Sequence, residues 1–332
     1  MSFKRLDPED FLVSIDSVTA TAWSTNNPTL TTFFTSSVTS TNDSYYKNVY
    51  QTGSTISSSA VQFAIAYGNK LGSGSANFND LVPGVSPTRT VYGQYRNLIY
   101  GDENAQFIFG TITASDFWAI SVDRARYKEH LLKGTFNITL SGSGIQTLKL
   151  TDNSGMVSTD TYLDCGRVYQ IISGSNGTAY SGTGYSPSSG SYGLFLPDIA
   201  TIILNPLALS QSINLSPSRS SDSDGLNIQK LFTAISSSGA ASFQLNSEET
   251  VTSDFVFVRA RNSEFNYSEN PSFISGSTGD VIYSVFINSP QTYMTTVGFY
   301  NDTSDLLAVA KLSKPLTKDF TKEALLRVKL DF

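Results

Sequence analysis

The stretch YMTTVGFY-NDTSD-LLAVAKL, residues 293–312, decides the fold class of this chain. Two runs of aromatic, β-branched and aliphatic residues, 293–300 and 306–312, flank a polar segment at 301–305. Strand-like runs on either side of a short polar turn predict a β-hairpin. A third extended run follows at 325–332. The C-terminal region is therefore predicted to be a set of paired strands that forms one compact β module.

This hairpin carries apolar residues at both alternating sets of positions, where a half-exposed hairpin has polar residues on one side. The pattern predicts burial of both faces, either inside the domain or against another subunit. We assign Val297, Phe299, Leu307 and Val309 to one face, and Met294, Tyr300, Leu306 and Ala308 to the other.

Strand patterns also dominate the rest of the chain. Alternating apolar residues predict strands at 61–67, 136–140, 145–150 and 255–258, and a further apolar run predicts one at 281–287. Helical signals are short: Asp7-Pro8-Glu9-Asp10 predicts a helix start with Phe11, Leu12 and Ile15 as its apolar face. Residues 124–132 favour one or two helical turns, and 317–325 fits either a helical turn or a polar loop. The predicted fold class is mainly β with a few short helices, in several β-sandwich or β-barrel-like modules.

Polar segments of low complexity mark candidate joints at 173–191, 210–225 and 236–242. Such segments have little apolar area with which to offset ordering entropy, so they predict long mobile loops or linkers. We divide the chain into an N-terminal part, 1–112, a middle part, 113–245, and a C-terminal module, 246–332. The middle part fits equally well as an insertion into one domain built from both ends.

The composition restricts the classes of partner. Charged residues are only 15% of the chain, the formal net charge is −6 and the isoelectric point is about 4.8. An acidic chain is unsuited to contacts with nucleic-acid phosphates. No apolar run reaches the 18 to 20 residues of a membrane-spanning helix, and the first residues lack the apolar stretch of a signal peptide. We expect neither nucleic acid nor membrane as a partner, and no Sec-type export.

Residues suited to catalysis or cofactor binding are scarce. The chain has one histidine, His130, and one cysteine, Cys165, which we interpret as a small buried hydrophobe. Asp222-Ser223-Asp224-Gly225 resembles the start of a calcium loop, but Leu231 stands where an EF-hand needs glutamate. No phosphate-binding glycine loop or nucleophile elbow occurs. We predict that the protein is not an enzyme and binds no metal or cofactor.

Aromatic and basic side chains are the candidates for protein contacts, because tyrosine, tryptophan and arginine often carry interface energy. One set is Tyr92, Tyr95 and Arg96, and a basic set is Arg124, Arg126 and Lys128, suited to an acidic neighbour. Phe299, Tyr300 and Phe332 complete the candidates in the C-terminal region. For any single aromatic residue, packing in its own core is the competing interpretation.

Several segments carry a resemblance to a known group of proteins. They are FNYSENPSF (265–273), FINSPQTYMTTVGFYND (286–302), LLAVAKLSKPLTKDF (306–320) and the final VKLDF, together with MSFKRLDPEDFLVSIDSVTATAW (1–23), SPTRTVYGQYRNLIYGDENAQFIFG (86–110) and FWAISVDRARYKEHLLKGTFNITLSGSG (117–144). Over most of the chain they resemble virion structural proteins of contractile-tailed phages, particularly myoviruses of marine cyanobacteria.

The resemblance implies a viral structural protein of the phage tail, with a baseplate wedge component as the leading interpretation. It implies assembly in the host cytoplasm, many copies per particle, and other tail or baseplate proteins as partners, with self-association left open. The alternative is a tail-fibre attachment module or a carbohydrate-binding receptor-recognition module. A receptor binder is expected to be slender and trimeric with an exposed aromatic cleft, whereas an assembly protein buries its termini against other chains.

Overall fold

A computed structural model describes residues 3–35, 45–53, 59–79, 81–142, 146–185, 188–219, 224–237 and 242–331. The fold is mainly β, with 43% strand and 15% helix, which confirms the predicted fold class. The helices are α1 (Thr88–Tyr100), α2 (Pro206–Ile213), α3 (Asp224–Ser236) and α4 (Ser284–Asn288), with 3-10 turns at Pro8–Asp10 and Arg124–Arg126.

The strands are β1 (Phe11–Thr21), β2 (Thr29–Leu30), β3 (Phe34–Thr35), β4 (Tyr46–Tyr50), β5 (Val61–Asn69), β6 (Phe107–Phe109), β7 (Ile112–Ala114), β8 (Asp116–Val122), β9 (His130–Leu131), β10 (Asn137–Ser141), β11 (Thr147–Asp152), β12 (Thr161–Leu163), β13 (Gly166–Ser175), β14 (Thr178–Ala179), β15 (Gly193–Leu196), β16 (Thr201–Leu204), β17 (Phe243–Gln244), β18 (Asn246–Ala260), β19 (Thr292–Tyr300), β20 (Leu306–Lys318) and β21 (Ala324–Asp331).

The chain forms two compact units. The central module comprises Val18–Glu249, and the terminal module combines Met1–Ser17 with Thr250–Phe332. The expected border at 112/113 lies inside the central module. Residues from both ends of the chain share the terminal module.

The central module is built on one large antiparallel sheet that curls on itself. Its strand order runs β2-β17-β10-β11-β13-β15-β16-β8-β5-β4-β3. The strands at its two ends, β2 and β3, are separated by only three residues in sequence. Because consecutive Cα atoms are 3.8 Å apart, these ends lie within about 15 Å of each other. The sheet is therefore barrel-like.

Alternation along the strands fills two hydrophobic clusters on opposite faces of this sheet. In β8, Trp118 and Ile120 belong to the larger cluster, while Phe117 and Ala119 belong to the smaller one. Helix α3 contacts the neighbouring strands β4 and β5 and also β10, which is far from them in the strand order, so it lies on the concave face. Helix α1 packs against β5 and supplies Tyr92 to the smaller cluster. The core sits in and around the curled sheet.

Local signals explain where the central helices begin and end. Asn205 accepts a hydrogen bond from the backbone N–H of Leu207, and Pro206 occupies the first turn of α2. Asn214 ends that helix in the left-handed conformation. Gly101 ends α1 at φ +62°, a conformation that glycine adopts without steric cost. These caps fix the two helices against the sheet.

The terminal module contains a sheet with the order β1-β18-β21 and the separate hairpin β19-β20. Strand β21 pairs antiparallel with β18 from Ser253↔Asp331 to Ala260↔Ala324. The hairpin pairs from Thr292↔Lys318 to Tyr300↔Leu306, with two register shifts. The predicted hairpin and the third extended run are thus confirmed, and the third run pairs with β18.

Several predicted elements differ in the structure. The N-terminal helix is a single 3-10 turn, Pro8–Asp10, and the supposed apolar helix face lies in strand β1. Residues 281–287 were predicted as a strand, but α4 begins at Ser284. Residues 124–132 contain one 3-10 turn followed by β9. The short apolar runs at 11–15 and 281–287 fit both a helical and a strand period, so their conformation depends on the rest of the fold. Of the alternatives for 317–325, the polar loop is the one observed, between β20 and β21.

The Ser-rich segments were predicted as linkers, but much of each belongs to the central module. Residues 173–175 end β13, 210–213 end α2 and Ser236 ends α3. Asn205 Nδ2 donates to the carbonyl oxygens of Ser189 and Ser191, both at 2.8 Å. Backbone hydrogen bonding thus supplies the order that their apolar area cannot. Residues 186–187, 220–223 and 238–241 lie outside the described part of the chain.

Candidate docking surface

The terminal module has almost no hydrophobic interior of its own. Both hydrophobic clusters lie in the central module. In the described part of the terminal module, the buried hydrophobic side chains are Val256, Ala260, Phe273 and Ala324. Its exposed large hydrophobic side chains are far more numerous: Phe3, Phe11, Leu12, Val13, Ile15, Tyr267, Ile282, Tyr283, Val285, Ile287, Tyr293, Tyr300, Leu306, Leu307, Val309, Leu316, Phe320 and Leu325.

The turn at the tip of the hairpin is internally satisfied. Asn301 Oδ1 accepts hydrogen bonds from the backbone N–H groups of Thr303, at 3.1 Å, and Asp305, at 2.7 Å. Asp305 Oδ2 accepts from the Thr303 hydroxyl at 2.6 Å and from Asn301 Nδ2 at 3.1 Å. These two side-chain contacts lower the pKa of the Asp305 carboxyl. The tip of the hairpin is therefore a charged turn with a defined conformation.

One face of the hairpin lines a groove. Cross-strand pairs Val297↔Ala310 and Phe299↔Ala308 share this face, and a groove of about 400 Å³ separates it from β21. On the far side of the groove lie Leu326, Val328 and Leu330, which are only half-buried. The groove is thus a poorly filled apolar layer between hairpin and sheet.

The opposite face of the hairpin is exposed and apolar. Tyr300 and Leu306 lie over Gly298, where a Cβ would stand 2.9 Å from the tyrosine ring. Val309, the cross-strand partner of Gly298, is on the same face. The Phe3 ring approaches Tyr300 edge-on, with centroids 5.2 Å apart. The sequence-based face assignment was therefore wrong, because it placed Val309 with Phe299 and Ala308 with Tyr300; the register shift between Phe299 and Tyr300 changes the alternation.

The sequence predicted that both hairpin faces are buried, either inside the domain or against another subunit. The first alternative, burial inside the domain, is wrong. Leu307 is 68% exposed and Val309 is 57% exposed. The remaining alternative, burial against another subunit, stays a prediction.

A fully buried lysine ties β20 to the segment after β18. Lys318 Nζ donates to Asn266 Oδ1 at 2.8 Å and to the carbonyl oxygens of Asn262 and Asp319, both at 3.0 Å. The neighbouring Asp319 carboxylate accepts from the Thr321 hydroxyl and from Lys322, which lower its pKa to about 2. Nothing in the sequence pattern marked Lys318, since lysines are usually exposed.

Replacement of Lys318 by methionine is expected to loosen this junction. Methionine fills similar space but removes the three hydrogen bonds and leaves the buried Asn266 Oδ1 without its lysine donor, a loss of roughly 1–3 kcal/mol. Amide hydrogen exchange in residues 262–266 and 316–320 should accelerate, while Lys314→Met, at an exposed position of the same strand, should leave it unchanged. Equal exchange in the two variants would contradict this role of Lys318.

The candidate interface residues fall into three groups. Tyr92 is 1% exposed and packs against Phe107 and Phe117, so its prediction as an interface residue was wrong. Tyr95 is half-buried against the same cluster and bonds Ser121 at 3.0 Å. Burial raises the pKa of both tyrosines. Arg96, on the same helix, is half-buried, and its Nε has no hydrogen-bond partner among the described residues. Helix α1 turns these aromatic residues inward because it covers the convex face of the sheet.

The basic set lies on the surface of the central module. Arg124 Nη1 donates to the Tyr127 carbonyl at 2.8 Å, and its guanidinium stands over the Tyr127 ring at 4.7 Å. Lys128 is exposed and Arg126 is half-buried beside a shallow pocket of about 260 Å³. Of the C-terminal candidates, Phe299 lines the groove and Tyr300 is on the exposed face, while Phe332 lies outside the described residues.

The residues considered for chemistry are dispersed. His130 is half-buried on β9, with Nδ1 3.8 Å from Glu248. Cys165 is half-buried beside the smaller cluster, and burial raises the pKa of its thiol. Across the described residues, no three His, Cys, Asp or Glu side chains are grouped as metal ligands, and none of the helices is long and apolar enough to cross a membrane. The calcium-like segment at 222–225 falls largely outside the described side chains.

Comparison of this chain with protein-family models, with curated proteins and with solved structures found no match.

Proposed function

We propose that this protein is a structural component of a contractile phage tail, a baseplate assembly protein that docks neighbouring tail proteins through its terminal module. The observation that carries the proposal is the excess of exposed over buried hydrophobic side chains in that module. The resemblance of the sequence segments to phage virion proteins supplies the biological setting.

The energetics favour a partner for this surface. Burying a leucine, valine or phenylalanine side chain contributes about 1.5–3 kcal/mol. A two-stranded hairpin alone is marginally stable in water, and β19 and β20 pair only with each other among the described strands. Large contiguous apolar patches on soluble proteins usually mark interaction sites. A neighbouring chain that covers the hairpin would bury its exposed face.

The alternative of a carbohydrate-binding receptor module is less well supported. Such a site needs aromatic side chains grouped in a cleft. The groove of the terminal module is lined by aliphatic residues, three basic residues and one aromatic residue, Phe299. The shallow pocket of the central module contains Tyr127 and the almost fully buried Trp23. Neither cleft offers the stacked exposed rings that a sugar would contact.

The test changes the exposed hairpin face without disturbing the fold. The double substitution Leu307→Lys and Val309→Lys places two charges on side chains that are already exposed, so folding stability should change little. Leu71→Lys is the control, because Leu71 is a leucine of the central module that is 82% exposed. Abundance of each variant in purified tails is measured by quantitative mass spectrometry.

We expect the double variant to be depleted from tails by about tenfold or more, the effect of losing roughly 1.4 kcal/mol of binding free energy. The control variant should enter tails normally. Equal abundance of the two variants in tails would refute docking through this face.

A further inference from the structure

Among the described strands, residues 11–16 of β1 and strand β21 have no pairing strand at their outer edges. In the sheet of the terminal module, β1 pairs with β18 at one end and β21 pairs with β18 at the other. An open edge presents unused backbone donors and acceptors and is a template for another strand. Protein edges are usually protected by lysine, proline or a bulge. β1 has neither Lys, Arg nor Pro between Phe11 and Thr21.

The two edge strands have matching faces. On β21, Leu326, Val328 and Leu330 point towards the groove, while the alternate positions include Arg327 and Lys329. On β1, Phe11, Val13 and Ile15 form an apolar row, while the alternate positions are Leu12, Ser14 and Asp16. Each strand thus has an apolar row, which in β1 covers its first half, and a mixed row. The mixed row of β1 carries Asp16, and that of β21 carries Arg327, Lys329 and Asp331, so their net charges are opposite.

The basic side chains of β21 are available on its mixed row. Arg327 stands 5.3 Å from the Phe255 ring centroid, and Lys329 forms an exposed ion pair with Asp331 at 2.8 Å. Lys329 and Ser253 together lower the pKa of the Asp331 carboxyl. In β1, Ile15 is 70% exposed, and Phe11, Leu12 and Val13 are exposed as well. Among the described residues, therefore, the apolar row of β1 is largely uncovered.

We infer that β1 of one copy adds to the free edge of β21 of a second copy, so that the chains associate head to tail. The apolar row Phe11, Val13 and Ile15 then closes the groove over Leu326, Val328 and Leu330, and Asp16 lies beside Arg327 and Lys329. Main-chain hydrogen bonds supply affinity, and the alternating side chains supply specificity. An interface between two different surfaces of the same chain closes into a ring or continues as a filament.

This inference rests on the proposed role of the terminal module as a docking surface, and it names a second copy as the partner for one part of that surface. The occupant is argued from three matching features: two free edges, complementary apolar rows and opposite net charges on the mixed rows.

Association is tested first by sedimentation velocity of the full chain over a concentration series. Ile15→Lys should weaken self-association by about tenfold or more, because it removes a buried apolar contact and inserts a charge. Leu71→Lys should have no effect. Asp16→Arg should weaken association by about threefold. The double variant Arg327→Asp and Lys329→Asp should weaken it by a similar factor. The triple variant, in which the charges are exchanged between the two strands, should restore association.

Disulfide trapping then tests the strand partners directly. In a Cys165→Ser background, a tagged Val13→Cys chain is mixed with an untagged Leu326→Cys, Val328→Cys or Leu330→Cys chain, which together sample the registers on the groove face. One of these mixtures should give a disulfide between tagged and untagged chains. Val13→Cys mixed with Lys329→Cys should not, because these side chains lie on opposite faces.

The outcomes separate this inference from the proposed function. The inference is overturned if the wild-type chain stays monomeric at about 100 µM, because its association free energy is then weaker than ~5.5 kcal/mol. It is also overturned if Ile15→Lys and Leu71→Lys associate equally, or if only Val13–Val13 disulfides form. Loss of the hairpin variant from tails alongside a monomeric wild type leaves the proposed function standing. Head-to-tail association with normal tail incorporation of the hairpin variant supports the inference and refutes the proposed function.

Discussion

Deletion of residues 325–332 is expected to remove the protein from assembled tails while the central module stays folded. The deletion takes away all of β21 except Ala324, and with it nearly the whole antiparallel ladder to β18. It also removes one wall of the groove. A terminal module with so few buried side chains has little else to hold its sheet together. We therefore expect the docking surface to be lost as a unit.

Both tryptophans, Trp23 and Trp118, lie in the larger cluster of the central module, so their fluorescence reports on that module alone. The truncated chain should retain the wild-type emission maximum and unfolding midpoint, but be undetectable in purified tails. Infectious particles that contain the truncated chain at wild-type abundance would contradict the anchoring role of the terminal module.

Replacement of Phe136 by alanine is expected to lower the free energy of unfolding of the central module by about 3–5 kcal/mol. Phe136 is fully buried, and its ring is stacked on Phe195 with centroids 5.2 Å apart. It also meets Phe243 edge-on at 6.0 Å. Neighbours from two different strands, β15 and β17, cannot both move to fill the space that the ring leaves, so a cavity remains.

Denaturant unfolding followed by tryptophan fluorescence measures this loss. Phe34→Ala is the control, since Phe34 lies on an end strand of the same sheet and is 44% exposed. Its substitution should cost less than about 1 kcal/mol, as expected for a side chain with little contact area to lose. Similar losses for the two variants would show that the stacked aromatic cluster is not the centre of the core.

Several strands, and the pairing of β19 with β20, could be predicted from the sequence alone. The alternating runs predicted at 61–67, 136–140, 145–150 and 255–258 and the runs at 293–300 and 306–312 overlap with β5, β10, β11, β18, β19 and β20, because two-residue periodicity over a half-buried run has one satisfactory conformation. The hairpin and its polar turn followed from the same reasoning. So did the fold class. These features depend on residues that are neighbours along the chain.

Short apolar runs were less predictable. Phe11, Leu12 and Ile15 fit a helix face and a strand equally well, and only the pairing with β18 makes them an edge strand. Val285 and Ile287 fit a strand but lie in α4. Local propensity differs by less than about 1 kcal/mol per residue, so a distant partner decides the outcome.

The candidate docking surface shows the same division between features that local sequence patterns reveal and features that depend on distant segments. By itself, the sequence determined the mainly β fold, the hairpin with apolar residues on both faces, and the scarcity of histidine and cysteine. Only the tertiary structure decided that Tyr92 is core, that Lys318 is buried, and that the terminal module combines 1–17 with 250–332. It alone showed that β1 and β21 are the open edges. The physical reason is that periodicity along a strand reveals which residues share a face, whereas burial of that face depends on segments far away in the chain.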